Sequence, residues 1–473
     1  MSDVRRIGGV RVTDTVTTLP AAATSADAAA ALDMEVRTLL RVGVPLAEGV
    51  ATAKELAIEL LKLVAEVEHA LMAQYLYTSI SVVNADGASQ DHKREVLNVA
   101  IQEMGHLATV QNVLLLLGGT EALHLERDLY RKASEKNPLP FVLEPISRAT
   151  LAKDVAAEMP AKVPPALQQE VDDLVKLASQ SAGVALHRVG AIYTTLRWIF
   201  LPAASARQWI DLASIVPLPT KPHVTDADLK SASEVNRFQA RGDEWPANVE
   251  GFILETPHTC SEVVAAIDKI AAQGEGLRQI EHSHFATFLG LVKALDNGEI
   301  TATAVAKSPT LGGGSGAEGG ESIIHAYTRA WGTVFSLHYT LLVLTIFHAF
   351  RTARTEDESR GLRHGLVDLA LRAMRRVILS VSAICASLPM RDDSSALAGP
   401  PYDLDPTVLQ VDGQNDDLAD RHLRLLDSLA LQYTVIEQSA EFASRPADAI
   451  ELANLRNYDK RRRNLFSAPP PGT

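Results

Sequence analysis

Cysteine and aromatic residues are scarce in this chain of 473 residues, and its 45 basic residues are outnumbered by 58 acidic ones. The two cysteines, Cys260 and Cys385, are far apart and match no zinc or redox spacing, which favours a reducing cytoplasmic compartment. A net charge of −13 argues against a nucleic-acid partner. Aromatic residues make up 5%, β-branched runs are short, and the abundant alanine and leucine favour helices. We therefore predict an all-α cytoplasmic protein.

The chain also lacks a convincing membrane segment. Residues 1–35 contain no apolar run of the signal-peptide type. The most apolar stretch, 334–350, is short for a membrane span and carries His338 and His348. We interpret it as a buried helix of a bundle, with both histidines in a core, and expect no membrane partner.

The order of apolar stretches, turns and linkers predicts four regions. We expect helices near 54–83, 92–117, 165–200 and 261–297, with a long crossover or lid over 201–260, and further helices near 322–355, 360–388 and 416–443. The Gly-rich run 308–322 is the clearest linker. The predicted regions are an N-terminal arm (1–45), a four-helix bundle (46–306), a Gly-rich linker (307–321) and a helical C-terminal region (322–473).

Carboxylate and imidazole groups interrupt two strongly apolar helical stretches, 66–82 and 99–119. Burying such groups is costly unless they are paired or bind a cation. Glu103 and His106 are three residues apart and project within about 60° of each other on a helix. This Glu-x-x-His spacing, behind a helix with a single Glu, is how four-helix bundles hold two iron or manganese ions. It predicts a carboxylate metal site, with a hydrogen-bonded core histidine as the alternative for His106.

The first stretch offers two glutamates, Glu66 and Glu68, which lie about 200° apart and cannot both face one core. Glu68 shares a face with Tyr75, so we assign Glu68 inward as the ligand. Glu66 and His69 form a competing Glu-x-x-His, and a solvent-facing pair explains these two residues equally well.

The fourth predicted helix repeats the spacing with Glu281 and His284, followed by apolar residues at core-like intervals. Glu275 is a second candidate carboxylate. It lies about 180° from His284 on an unbroken helix, so both reach one metal only if Gly274 or Gly276 breaks the helix. Two Glu-x-x-His pairs behind a helix with an inward Glu form a more specific pattern than either pair alone.

Four segments in order, "EVEHALMAQYLYTS", "EMGHLATVQNVLLLLGG", "QGEG…SHFATF" and "AGPPYD", resemble the ferritin-like family related to the iminophenyl-pyruvate dimer synthase of violacein biosynthesis. The similarity covers roughly residues 50–300 and continues more weakly to about residue 405. The resemblance implies an all-α, ferritin-like four-helix bundle. It carries metal binding onto Glu68, Glu103, His106 and His284, with Glu275 or Glu281 as the remaining carboxylate, and it does not carry the named member's substrate.

One departure from that family concerns the third helix. The resemblance leads us to expect Gly-Glu-Phe-Tyr there, whereas this chain has Gly190-Ala191-Ile192-Tyr193. His187 lies one turn before Ala191, so its imidazole could take the place of the missing carboxylate, or His187 could be a polar residue near a helix start. The sequence thus leaves open an asymmetric site, a single metal ion, or the loss of metal binding.

Carboxylate and imidazole ligands suit iron, with manganese as the alternative, in a mono- or dinuclear site with positions left for O₂ or substrate. We expect an iron-dependent oxidase or oxygenase that acts on a small organic substrate, in secondary metabolism, with O₂ as co-substrate; a homo-oligomer is compatible with this. The alternative is a non-catalytic helical scaffold or a degenerate metal-binding protein.

Overall fold

A computed structural model shows a protein built almost entirely from helices. The three strands near the N-terminus are described by their backbone alone. The structure describes residues 5–7, 10–13, 44–47, 50–85, 91–126, 141–160, 163–183, 186, 189–202, 223–247, 249–275, 283–312, 320–355, 361–392, 395–409 and 417–467.

The first two long helices pack against each other, and the other helices of the bundle pack on this pair. Helix α1 (Ala53–Ser81) begins at a capping box in which Thr52 and Glu55 each accept from the other's backbone N–H. Helix α2 (His92–Gly118) begins at Asp91. Their boundaries lie close to the predicted ones because both sequences are long, apolar and well capped.

The third and fourth predicted helices are each divided in the structure. Helix α3 (Arg148–Glu158) has no counterpart among the predicted helices, and the predicted helix 165–200 is two helices, α4 (Gln168–Ala182) and α5 (Gly190–Phe200). After the short α6 (Ala232–Val235), helices α7 (Cys260–Glu275) and α8 (His284–Asp296) occupy the position of the predicted 261–297, with 276–282 outside the described residues. The expected helix 165–200 is wrong because the helix does not continue through Gly183.

The described part of the predicted crossover is mostly irregular, as expected for 201–260. It contains α6 and a single 3₁₀ turn, Asp226–Asp228. Two small antiparallel sheets complete the N-terminal half, with strand order β1–β2–β3 and β4–β5. The strands are β1 (Arg5–Ile7), β2 (Val10–Thr13), β3 (Val44–Ala47), β4 (Val82–Asn84) and β5 (Ile300–Ala302).

The C-terminal region is built around one apolar helix, α9 (Ala326–Arg351). In the described part of the chain it is the one helix apolar and long enough to cross a membrane, and 72% of its most apolar window is buried inside the protein. Four further helices pack around α9: α10 (Leu362–Arg372), α11 (Ile378–Ala386), α12 (Leu418–Glu437) and α13 (Pro446–Ser467). This agrees with the prediction that α9 is a buried helix of a bundle.

The described ends of the Gly-rich segment are held to the protein by hydrogen bonds. The Ser308 N–H donates to Leu143 O at 2.7 Å, and the Leu311 N–H donates to the Asp403 carboxylate at 2.9 Å. Residues 313–319 lie outside the described residues. The four region boundaries remain predictions.

Candidate metal centre

Helices α1 and α2 bring three of the candidate ligands together. Glu68, Glu103 and His106 are each 2% exposed. His106 Nδ1 lies 2.8 Å from Glu103 Oε2 and 3.5 Å from Glu68 Oε2. One ligand-type atom from each residue lies within 4.8 Å of the other two.

A second group shares Glu103. It contains His284 at the start of α8 and Glu158 at the end of α3. His284 Nδ1 is 2.8 Å from Glu103 Oε1 and 3.8 Å from Glu158 Oε2, and the rings of His284 and His106 are 5.6 Å apart. Glu103 therefore lies between two half-sites, with Glu68 and His106 on one side and Glu158 and His284 on the other.

Two glutamine amides orient the histidine rings. Gln273 Oε1 is 2.9 Å from His106 Nε2, and Gln102 Oε1 is 2.9 Å from His284 Nε2. A carbonyl oxygen can only accept, so each Nε2 carries the proton and, in a neutral ring, each Nδ1 presents a lone pair towards the carboxylates. A lone pair and a carboxylate oxygen do not stay 2.8 Å apart unless a proton or a metal ion lies between them.

A turn of the crossover fixes both amides. The Gln102 amide N–H donates to Glu250 O and that of Gln273 donates to Gly251 O, each at 2.7 Å, so the oxygens face the rings. Gly251 has φ +72°, and a Cβ there would lie 2.8 Å from the Gln273 amide nitrogen and 3.0 Å from that of Gln102. Only glycine suits this backbone and this close approach.

Two tyrosines hold the outer carboxylate oxygens. Tyr193 donates to Glu68 Oε1, and Tyr75 donates to Glu158 Oε1 at 2.6 Å. Burial, together with the neighbouring carboxylates, raises the pKa of both phenols well above the usual value, so both remain neutral donors. Each of the two glutamates keeps its other oxygen towards the centre.

Burial and charge shift the site's pKa values in opposite directions. Burial, then the charge of Glu103, raises the pKa of Glu68 to about 8. Burial opposes ionisation of Glu103, but the two histidines outweigh it and lower its pKa well below the usual value. Burial also opposes protonation of His284, yet Glu103 raises its pKa to about 9, and that of His106 rises well above its usual value for the same reason. A metal ion that binds here would compete with protons for the same carboxylate and imidazole atoms, so its binding would release protons.

Three buried atoms show that the donor set fits a cation. Glu68 Oε2, Glu103 Oε1 and His284 Nδ1 have no hydrogen-bond partner in the described part of the protein. Glu103 Oε1 and His284 Nδ1 lie only 2.8 Å apart, but the two groups are not aligned for a hydrogen bond. Unsatisfied buried polar atoms are costly, and three of them spread over the two half-sites that share Glu103 suit bound metal ions.

Residues 61–293, which contain all of these groups, match the family model described as Ferritin-like. Over these residues the chain is similar to ferritin-like proteins. No curated protein and no solved structure matches the chain. The predicted ferritin-like all-α fold is confirmed, while the suggested relation to the violacein enzyme is supported by no relative.

Other candidate ligands lie elsewhere in the ferritin-like domain or outside the described residues. Glu281 and His187 fall outside the described residues, and α7 ends at Glu275, whose side chain is not described. Glu66 and His69 are 3% and 1% exposed, so the solvent-facing interpretation is wrong. His124 contacts Glu66 at 2.6 Å, and His69 contacts Leu125 O and Tyr339, which makes both residues parts of the core.

Sequence reasoning missed Glu158. Glu158 of α3 is a candidate carboxylate in place of the one expected at position 191, whose side chain is not described. The signal was available: Asp154 and Glu158 are four residues apart in a stretch that also carries the apolar residues Leu151, Val155, Ala156 and Ala157. The rule applied to α1 and α2, that a buried carboxylate needs a partner, applies here equally.

Proposed function

We propose that the centre binds two divalent metal ions, with Glu103 shared between them. Three carboxylates and two neutral imidazoles offer three negative charges to two divalent ions, which neutralises most of their charge. The three unpartnered atoms of Glu68, Glu103 and His284 are the observation that carries this proposal. Ferritin-like bundles of this kind add a second Glu-x-x-His, and Glu281 would supply its carboxylate.

Iron fits this donor set best, with manganese as the alternative, because both accept mixed oxygen and imidazole ligands. When bound, the metal would supply the redox chemistry with O₂. The chain's own share is to hold both imidazoles in one tautomer through Gln102 and Gln273, to keep Tyr75 and Tyr193 neutral, and to exclude bulk water by burial.

We infer that the protein is an iron-dependent oxidase or oxygenase acting on a small organic substrate. The cavity at the centre is about 20 Å³, room for ions or water but not for an organic molecule. Its lining includes Val189 and Gly190 from the start of α5 and Ile270 and Gly274 from α7. Approach of a substrate between these two helices would bring it to a cavity lined by Glu68, Glu103, His106 and Glu158.

The C-terminal region favours an enzyme over a storage protein. Tyr339 of α9 lies within hydrogen-bonding distance of His69 Nε2 on α1, 2.5 Å away, so this region packs directly on the ferritin-like domain. Iron storage needs no such addition, whereas an enzyme gains a shaped and water-excluding surface. The family match supports a ferritin-like domain, and the buried carboxylate and imidazole groups could bind metal; the reaction, the metal and a role in secondary metabolism are our proposals.

Metal loading followed by exposure to O₂ tests this function. Protein stripped of metal should take up about two equivalents of Fe(II) without oxygen and develop a new absorbance on addition of O₂. Glu103→Ala should do neither, because both half-sites lose their shared ligand. Uptake of iron without any O₂-dependent change would refute the oxidase proposal, and absence of uptake would instead favour a non-catalytic scaffold.

A further inference from the structure

A second cavity lies between the ferritin-like domain and the C-terminal region. Its volume is about 230 Å³, and helices α1, α2, α9, α10 and α11 supply most of its walls. The lining is apolar almost throughout, with residues such as Met72, Met104, Leu342 and Met374. Well-packed interiors contain few voids larger than a water molecule, so a cavity of this size needs an explanation.

This cavity is separate from the metal centre, although both use α1 and α2. No residue lines both cavities. His69, Met104 and Leu107 line the apolar cavity and directly follow Glu68, Glu103 and His106, which places them about 100° further round their helices. A molecule in the apolar cavity would therefore not contact Glu68, Glu103 or His106.

The polar groups of this cavity are few and differ in character. His69 and Tyr339, each 1% exposed, lie within hydrogen-bonding distance of each other in its wall. Arg375 is exposed and so marks the open side. Its guanidinium donates to Pro246 O, and no carboxylate of the described residues pairs with it. No Asp or Glu lines the cavity.

Arg375 and Met374 belong to a π-helical turn, Ala373–Val377, that joins α10 to α11. Such turns place an extra residue in a helix and occur frequently at functional sites. Here the turn directs both an apolar side chain and a cationic one at the same cavity.

We propose that this cavity binds a small amphipathic anion, with an aliphatic body inside and a carboxylate at Arg375. A dry apolar cavity of about 150 Å³ holds a benzene molecule, so 230 Å³ suits an apolar body of about nine non-hydrogen atoms. Alkyl carboxylates of eight to ten carbons match this size and charge. A carboxylate could accept from the guanidinium N–H groups that Pro246 O does not use, whereas an uncharged apolar molecule would fill the space without engaging them.

Calorimetric titration with hexanoate, octanoate and decanoate tests the proposal on the full chain. Each methylene buried should tighten binding by about fourfold until the cavity is full, with one molecule bound per chain. Arg375→Met should weaken octanoate about fivefold and leave octanol unchanged. The matched control is Arg376→Met, an exposed neighbour that does not line the cavity and should have no effect.

A large side chain placed in the cavity tests whether octanoate binds there. Ile101 lines it, so Ile101→Trp should abolish octanoate binding, whereas Leu431→Trp on the exposed face of α12, at 68% exposure, should not. Unchanged affinity in Ile101→Trp, affinity independent of chain length, or an equal loss in Arg375→Met and Arg376→Met would overturn the proposal.

A photoreactive octanoate analogue gives a test that needs no variant. After irradiation of the wild-type protein, the label should appear on peptides of α2, α9 and the π-helical turn, and excess octanoate should prevent it. Labelling spread over the surface, or not displaced by octanoate, would show that no such site exists.

Discussion

The two glutamine amides beside the histidines give the sharpest test of how this chain prepares its metal centre. We predict that Gln102→Met and Gln273→Met each weaken metal binding although neither residue would touch the metal. Gln102 accepts from His284 Nε2 and donates to Glu250 O, and Gln273 bridges His106 Nε2 and Gly251 O in the same way. Methionine keeps the volume but cannot accept the ring proton.

The expected loss follows from the tautomer. Without its acceptor, each ring loses the hydrogen bond that keeps the proton on Nε2 and the lone pair on Nδ1. Loss of such an outer partner typically lowers metal affinity 10- to 100-fold, or about 1.4–2.7 kcal/mol. Because both half-sites share Glu103, the double variant should depart from simple additivity.

Competition titration of metal against a coloured chelator measures these affinities. Gln111→Met is the matched control, since Gln111 is also a buried amide on α2 but bonds to the His124 backbone, remote from the ligands. It should reduce the free energy of unfolding and leave metal affinity unchanged. Gln102→Glu keeps the acceptor for His284 but loses the N–H that donates to Glu250 O, so it should retain more metal affinity than Gln102→Met. Equal affinity in wild type, Gln102→Met and Gln273→Met would refute this reasoning.

Three further predictions concern other parts of the structure. Glu158→Ala should remove one of two metal equivalents by elemental analysis, and retention of two would exclude Glu158 as a ligand. Gly251→Ala should weaken metal binding by displacing both amides, seen in the same chelator titration; unchanged affinity would count against the turn's role. Burial lowers the pKa of His422 to about 2, below the value of about 6.5 in the unfolded chain. The unfolded chain therefore binds a proton at this residue as the pH drops below 6.5, while the folded protein does not. This difference lowers the free energy of unfolding by about 2 kcal/mol at pH 5. His422→Phe should therefore lose less stability than wild type between pH 7 and pH 5 in urea unfolding, and an equal loss would contradict the shift.

The long helices and their ligands were within reach of sequence reasoning. Helices α1 and α2 carry sustained apolar periodicity and clear caps, and Glu103 and His106 stand out because ionisable groups in such stretches need partners. Glu68 could be assigned inward because helix geometry separates it from Glu66. Local pattern and burial cost suffice for features of this kind.

The remaining features depend on contacts between distant segments. Gln102 is 148 residues from Glu250, and no local sequence pattern predicts a hydrogen bond between a side-chain amide and a distant backbone carbonyl. The short α3 was missed because eleven residues give a weak periodic signal, and Glu158 was missed with it. The break after α4 follows from Gly183, which the prediction of one helix over 165–200 did not use.

Anomalous diffraction from crystals grown with Fe(II) without oxygen tests the central claim most directly. Our account predicts two peaks at the iron edge, one beside Glu68 and His106 and one beside Glu158 and His284, with Glu103 contacting both. Gln102 and Gln273 should remain bonded to the far nitrogens of the two rings. Iron density elsewhere in the protein, with none between these five residues, would contradict the account.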